Sequence, residues 1–115
     1  NDIRKNTYIK TSDFEEDTYN NVIKYNGGKG KPLGVQDAKV IRTAEVLLNR
    51  AESHYRLGNE GAALADLRLL KANRYTGYVN ETITGQVLLD EILKQRRLEL
   101  AFEGDRFWDL KRRNE

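Results

Sequence analysis

Five residues near the C-terminal end, Leu89, Ile92, Arg96, Glu99 and Glu103, recur at i, i+3, i+7, i+10 and i+14. At about 100° per residue they share a helix sector roughly 80° wide. One face therefore runs from apolar to charged without a break. A face that buries Leu89 and Ile92 also brings three charges to or near the core, where they are costly unless paired. Arg96 and Glu99 can meet within the helix at i, i+3. The remaining partners must come from other segments. Arg42 and Glu45 upstream, and Arg106 and Asp109 downstream, have the right chemistry. The pattern predicts a structural ion-pair network of Arg42, Glu45, Arg96, Glu99, Glu103, Arg106 and Asp109, joining three helices.

The periodicity around this stripe predicts four helices. The first covers residues 37–57, with Ile41, Ala44, Leu48, Ala51 and Tyr55 on one stripe. Arg42, Glu45, Asn49, Glu52 and Arg56 form a second stripe beside it. Gly58 suits a left-handed helix end, and Asn59 suits the cap of the next helix. The second helix covers residues 60–73, with Ala63, Leu67 and Leu70 on a face flanked by Ala62, Leu64 and Leu69. Its two-residue connection to the first makes the pair an antiparallel hairpin, with Ala44, Ala51, Ala62, Ala63 and Ala65 allowing close approach. A loop over residues 74–84 precedes the third helix, residues 85–103, capped by Thr84 and ended by Gly104. Asp105 can cap a short fourth helix through Lys111.

Residues 1–35 read differently. Two short β-branched and aromatic segments, residues 6–10 and 22–25, flank a polar stretch, and a glycine-lysine loop follows at residues 27–32. That loop lacks the spacing of a phosphate-binding motif. The expected architecture is mostly α: a tetratricopeptide-like helical hairpin plus two further helices, with a short extended or β segment, or a short hairpin, at the N-terminus. The expected division is residues 1–35 against a helical part over residues 36–115.

Composition narrows the function. With 20 basic and 18 acidic residues among 115, the net charge of +2 does not point to nucleic acid. The run Lys111-Arg112-Arg113 reads as a solvated helix face. There is no cysteine and one histidine, so neither thiolate nor histidine metal sites can form from these residues. No apolar run reaches the roughly 20 residues of a membrane helix. The chain opens without methionine and stops inside an expected helix, which reads as a piece of a longer protein. Carboxylates flanked by arginines hold their charged form and make poor general acids near neutrality. The network is therefore read as architecture, and no enzyme, metal or cofactor is expected.

Three stretches carry a resemblance. Arg42-Thr-Ala-Glu-Val-Leu-Leu48 is one, and Ala63-Leu-Ala-Asp-Leu67 with Lys71-Ala-Asn-Arg74 is another. The third, Arg96-Arg-Leu-Glu-Leu-Ala-Phe-Glu-Gly-Asp-Arg-Phe-Trp-Asp-Leu-Lys-Arg112, is similar to the signature E-R-R-x-E-L-x-F-E-G-x-R-W-x-D-L-x-R of the SusD/RagB family. Gln95 departs from that family at the leading glutamate, Arg68 at an asparagine and Lys71 at an arginine. The resemblance implies an outward-facing outer-membrane lipoprotein, anchored through a lipid outside this chain. It implies binding of a glycan or other nutrient without cleavage, and work with a TonB-dependent transporter.

The matched motifs are scaffold motifs of the C-terminal part, so the resemblance transfers no ligand-binding residue. By residue type, Tyr75 and Tyr78 are the candidates for ligand contact, since loop tyrosines offer a ring face and a hydroxyl. Phe107 and Trp108 are expected in the core, as is Tyr55. A different class of function is a free-standing tetratricopeptide-like module that binds a protein partner.

Overall fold

The structure is a computed structural model that describes residues 1–27, 30, 32, 35 and 40–114. The chain forms two compact units, Asn1–Val40 and Ile41–Glu115.

In the first unit a short helix α1 (Arg4–Tyr8) leads into an antiparallel hairpin of β1 (Ile9–Phe14) and β2 (Asp17–Val22). The register pairs Ile9 with Val22 and Phe14 with Asp17, leaving Glu15 and Glu16 as the turn. Glu15 takes the positive φ of 55° that this tight reversal needs. The strands expected over residues 6–10 and 22–25 are thus displaced into the polar stretch between them. Cross-strand hydrogen bonds explain the shift: Thr11 to Asn20 at 2.8 Å, Thr18 to Asp13 at 2.7 Å and Asn21 to Ser12 at 2.5 Å. In the expected glycine-lysine loop, Gly28, Lys29 and Lys31 lie outside the described residues.

The second unit is helical: α2 (Thr43–Arg56), α3 (Glu60–Ala72), α4 (Gly85–Glu99) and α5 (Asp105–Arg113). The mostly-α expectation with a short N-terminal β segment holds. The expected start of the first helix at residues 37–39 lies outside the described residues, and residues 40–42 are not helical. Helix α2 begins after Arg42, whose extended backbone (φ −123°, ψ 140°) turns its side chain away from the helical ladder.

Helices α2 and α3 pack as a hairpin across Leu57, Gly58 and Asn59. Gly58 adopts φ 79° there, as a left-handed helix end requires. The core comprises Leu48 and Ala51 of α2, Ala63, Leu64, Leu67 and Leu70 of α3, and Leu88 and Ile92 of α4. Leu67, Leu88 and Ile92 are fully buried, each contributing about 1.5–3 kcal/mol of hydrophobic stabilisation. Tyr55 packs against this cluster.

Several expected core positions fall outside it. Ile41 precedes the helix and is 75% exposed. Ala62 and Ala65 face solvent, so Ala51 and Ala63 provide the close approach. On α4 the buried face is Leu88, Ile92, Gln95, Arg96 and Glu99, with Leu89 only half-buried. Ile92, Arg96 and Glu99 are shared with the expected stripe, and Leu88 and Gln95 replace Leu89 and Glu103, so the buried face is turned by about 35° at roughly 100° per residue.

Helix α4 also stops at Glu99, four residues before the expected end. Phe102 at φ 68° and Gly104 at φ 82° break the ladder, and the Glu103 amide donates to the Leu100 carbonyl at 3.1 Å. The Glu99 carbonyl that a continuing helix would use accepts from Arg42 Nη2 at 2.8 Å instead. Phe107 and Trp108, expected inside, are each 62% exposed. The buried residue of α5 is Asp109, so the helix turns a carboxylate inward and its aromatics outward.

Candidate functional site

The polar stripe of α2 meets the charged face of α4 and the inner face of α5. Glu99, fully buried, sits at the centre. Arg42 Nη1 reaches its Oε1 at 3.1 Å. Arg74, just beyond α3, forms two parallel bonds to the same carboxylate, Nε to Oε2 at 2.9 Å and Nη2 to Oε1 at 3.0 Å. Two guanidinium groups thus hold one carboxylate with charge-assisted bonds. Burial alone pushes the Glu99 carboxyl upward, but Arg74 and Arg42 outweigh it and hold it below the ordinary range. Glu99 is also the last residue of α4, where a helix dipole disfavours negative charge. The arginines offset both penalties. Arg42 extends to Glu103 at 2.7 Å.

A second knot lies beside the first. Arg96 Nε bonds both carboxylate oxygens of Asp109, at 2.8 and 2.9 Å. Its Nη1 donates to Asn49, and its Nη2 lies 3.9 Å from Glu45. Arg112 bridges onward, to Asp109 at 3.1 Å and to Glu52 at 2.9 and 2.7 Å. Glu52 also takes Arg56 at 3.0 and 2.9 Å. Its hydrogen bonds from Arg112, working against burial, lower its carboxyl to about 2.

Of the residues predicted from spacing, Arg42, Glu45, Arg96, Glu99, Glu103 and Asp109 are brought together. Two pairings differ. Arg96 turns to Asp109 and away from Glu99, because Asn49 and Asp109 lie on its side of α4. Arg106 is exposed and makes no ion pair among the described residues. Arg112, three residues on the other side of Asp109, takes that place. Arg74, Arg112, Glu52 and Asn49 are the members that spacing along α4 did not reveal. Asn49 and Glu52 were visible on the second stripe of α2, and Arg74 in the matched Lys71-Ala-Asn-Arg74 stretch.

The remaining family-type positions form a third cluster. Gln95 is fully buried and donates to the Tyr75 hydroxyl at 2.9 Å and to Glu91 at 2.8 Å. Lys71 binds Glu81 at 2.5 Å and Glu91 at 3.0 Å. Its ammonium lies 5.7 and 5.5 Å from the ring centres of Tyr75 and Tyr78, within cation–π range. Arg68 donates to the Glu81 carbonyl and Thr82. Tyr75 and Tyr78 are half-buried around this lysine.

The long C-terminal motif supplies Glu99, and Arg42 and Arg74, which hold it, lie in the other two matched stretches; the comparison with known families accords with this. A family model described as the SusD family matches residues 3–115. The chain belongs to the SusD family. A relative, the SusD-like protein P38 of Formosa agariphila, is 38% identical over 90 residues, covering 70% of this chain. The chain spans 18% of that relative's length. No solved structure shows a significant match. Within this SusD-family chain the most motif-rich stretch, residues 96–112, supplies Arg96, Glu99, Glu103, Asp109 and Arg112 to a closed set of ion pairs. Among the described residues no helix is long and apolar enough to cross a membrane.

Proposed function

We propose that this chain is the scaffold part of a SusD-like outer-membrane protein that binds a glycan or other nutrient and works with a TonB-dependent transporter. In this reading the parent protein faces outward and is held by a lipid anchor. The chain performs no chemistry. The observation that carries the reading is the double clasp of Glu99 by Arg42 and Arg74. A fully buried carboxylate held ionised by two guanidiniums is closed off from an incoming ligand and has no proton to give. It fixes helix register instead.

Tyr75 and Tyr78 fit the same reading. Their rings are gathered around Lys71, and the Tyr75 hydroxyl is taken by Gln95. We assign them to packing of the loop between α3 and α4, and place the ligand contacts elsewhere in the parent protein.

The experiment is a screen of neutral glycans against the parent protein and against this chain alone. The parent is expected to bind a subset, and the isolated chain none of that subset. Equal binding by the isolated chain overturns the scaffold assignment.

A further inference from the structure

Beyond the scaffold role, we infer that an open groove along α4 is a docking site for an acidic, amphipathic segment of a partner protein. The groove has a volume of about 640 Å³ and follows the outer face of α4 from Gln86 to Arg97. That span is about 17 Å at the rise of an α-helix, the length of three turns. Half-buried Leu89 and Leu93, one turn apart, form its floor.

Its walls are basic. Arg56, Lys94, Arg97, Arg106, Arg112 and Arg113 line it, and Asp90 is the one acidic residue among its lining. Some of these cations are already engaged. Arg56 and Arg112 share Glu52, and Lys94 lies 3.2 Å from Glu91. Glu91 is also held by Lys71, and Asp109, which Arg112 meets, is also held by Arg96. Glu91 and Asp109 are thus also neutralised from outside the groove, and the one carboxylate of Glu52 is shared by two groove arginines, so positive charge is left over on the groove. Arg97 and Arg106 are exposed and form no ion pair among the described residues. They stand on adjacent helices, at one end of the leucine floor.

An apolar strip at i, i+4 between basic walls is complementary to a helix with apolar residues at i, i+4 and carboxylates on its flanks. Two features favour a peptide over a sugar. The groove is open and elongated, and no aromatic ring lines it to stack on a sugar face. Guanidinium groups also pair with carboxylates in a bidentate fork, which sets orientation as well as affinity.

The test uses the full chain and a short synthetic helix with leucine at i and i+4 in a glutamate background. Fluorescence anisotropy should show saturable binding that weakens about tenfold or more in high salt, as exposed charges are screened. The double variant Arg97→Glu with Arg106→Glu should lose that binding and gain affinity for the same helix in a lysine background. Neither side chain is part of the clasp, and circular dichroism will verify folding. Should that variant unfold, Arg97→Gln with Arg106→Gln decides the matter by loss of binding alone.

Three results overturn the inference: no binding by the acidic helix, equal binding by a polyglutamate without leucines, or unchanged binding by the folded variants. Tighter binding of oligogalacturonate than of the peptide overturns it too, and reassigns the groove to an acidic glycan. Because the scaffold reading is tested with neutral glycans, its failure is separable from this one.

Discussion

Arg42 grips Glu99 at two levels, donating to its carboxylate at 3.1 Å and to its backbone carbonyl at 2.8 Å. The same guanidinium therefore neutralises a buried charge and caps the helix that carries it.

Replacing Glu99 with alanine leaves Arg42 and Arg74 without their shared anion in a site where Glu99 is fully buried. The expected loss is roughly 3–5 kcal/mol, read from urea unfolding. Glu103→Ala should cost less, roughly 1–3 kcal/mol, because Arg42 retains Glu99. A loss at Glu99 below about 0.5 kcal/mol, the size of an ordinary surface change, would contradict the clasp.

Arg106 and Arg112 stand three residues either side of Asp109 and should behave differently. Arg112→Ala removes the bonds to both Glu52 and Asp109, so a clear fall in melting temperature is expected. Arg106→Ala should change stability by no more than about 0.5 kcal/mol, as at other exposed positions. Equal melting temperatures for the two variants would refute the assignment.

Acid should weaken the fold through its carboxylates. Hydrogen bonds from Arg112 lower Glu52 from its ordinary 4.5 to about 2. A depressed folded-state value means stability that is fully present above the ordinary value and is lost as pH falls toward the folded one. The window is thus from about 4.5 down to about 2 for Glu52. Glu99 is lowered as well, its arginines overcoming burial, and acts in the same direction. Melting temperature should fall across that window, and Glu52→Gln should make the fall shallower.

Two glycines should respond with opposite signs. Gly104 has φ 82°, so alanine there is strained by roughly 1–2 kcal/mol although its Cβ meets nothing. Gly61 lies within α3 with open space around it, and alanine should stabilise by roughly 0.5–1 kcal/mol. Thermal melts of the two variants check both.

Much of the helical part was legible because a helix repeats its chemistry. The pairing of an apolar stripe with an adjacent charged stripe on residues 41–56 located both the core and the side of α2 that meets α4 and α5. The family signature supplied the same region from a different direction. What was hidden depends on features without a period. The end of α4 is decided by the positive φ of Phe102 and by Arg42 capturing a carbonyl, and neither leaves a trace in residue spacing. Asp109 is equidistant along the helix from Arg106 and Arg112, so only packing chooses between them. The β-hairpin was misplaced because its strands are rich in Asn, Asp, Thr and Ser, which satisfy one another across the ladder. The basic groove was invisible as a unit, since its walls come from three helices.

The clasp joins residues far apart in the chain: 57 positions separate Arg42 from Glu99, and 60 separate Glu52 from Arg112. Such pairs close only after the intervening helices have docked, so they do little to speed folding. Their influence falls on the way out. Breaking them comes early in unfolding, and a chain that must release several guanidinium–carboxylate locks before its helices separate gains lifetime more than speed.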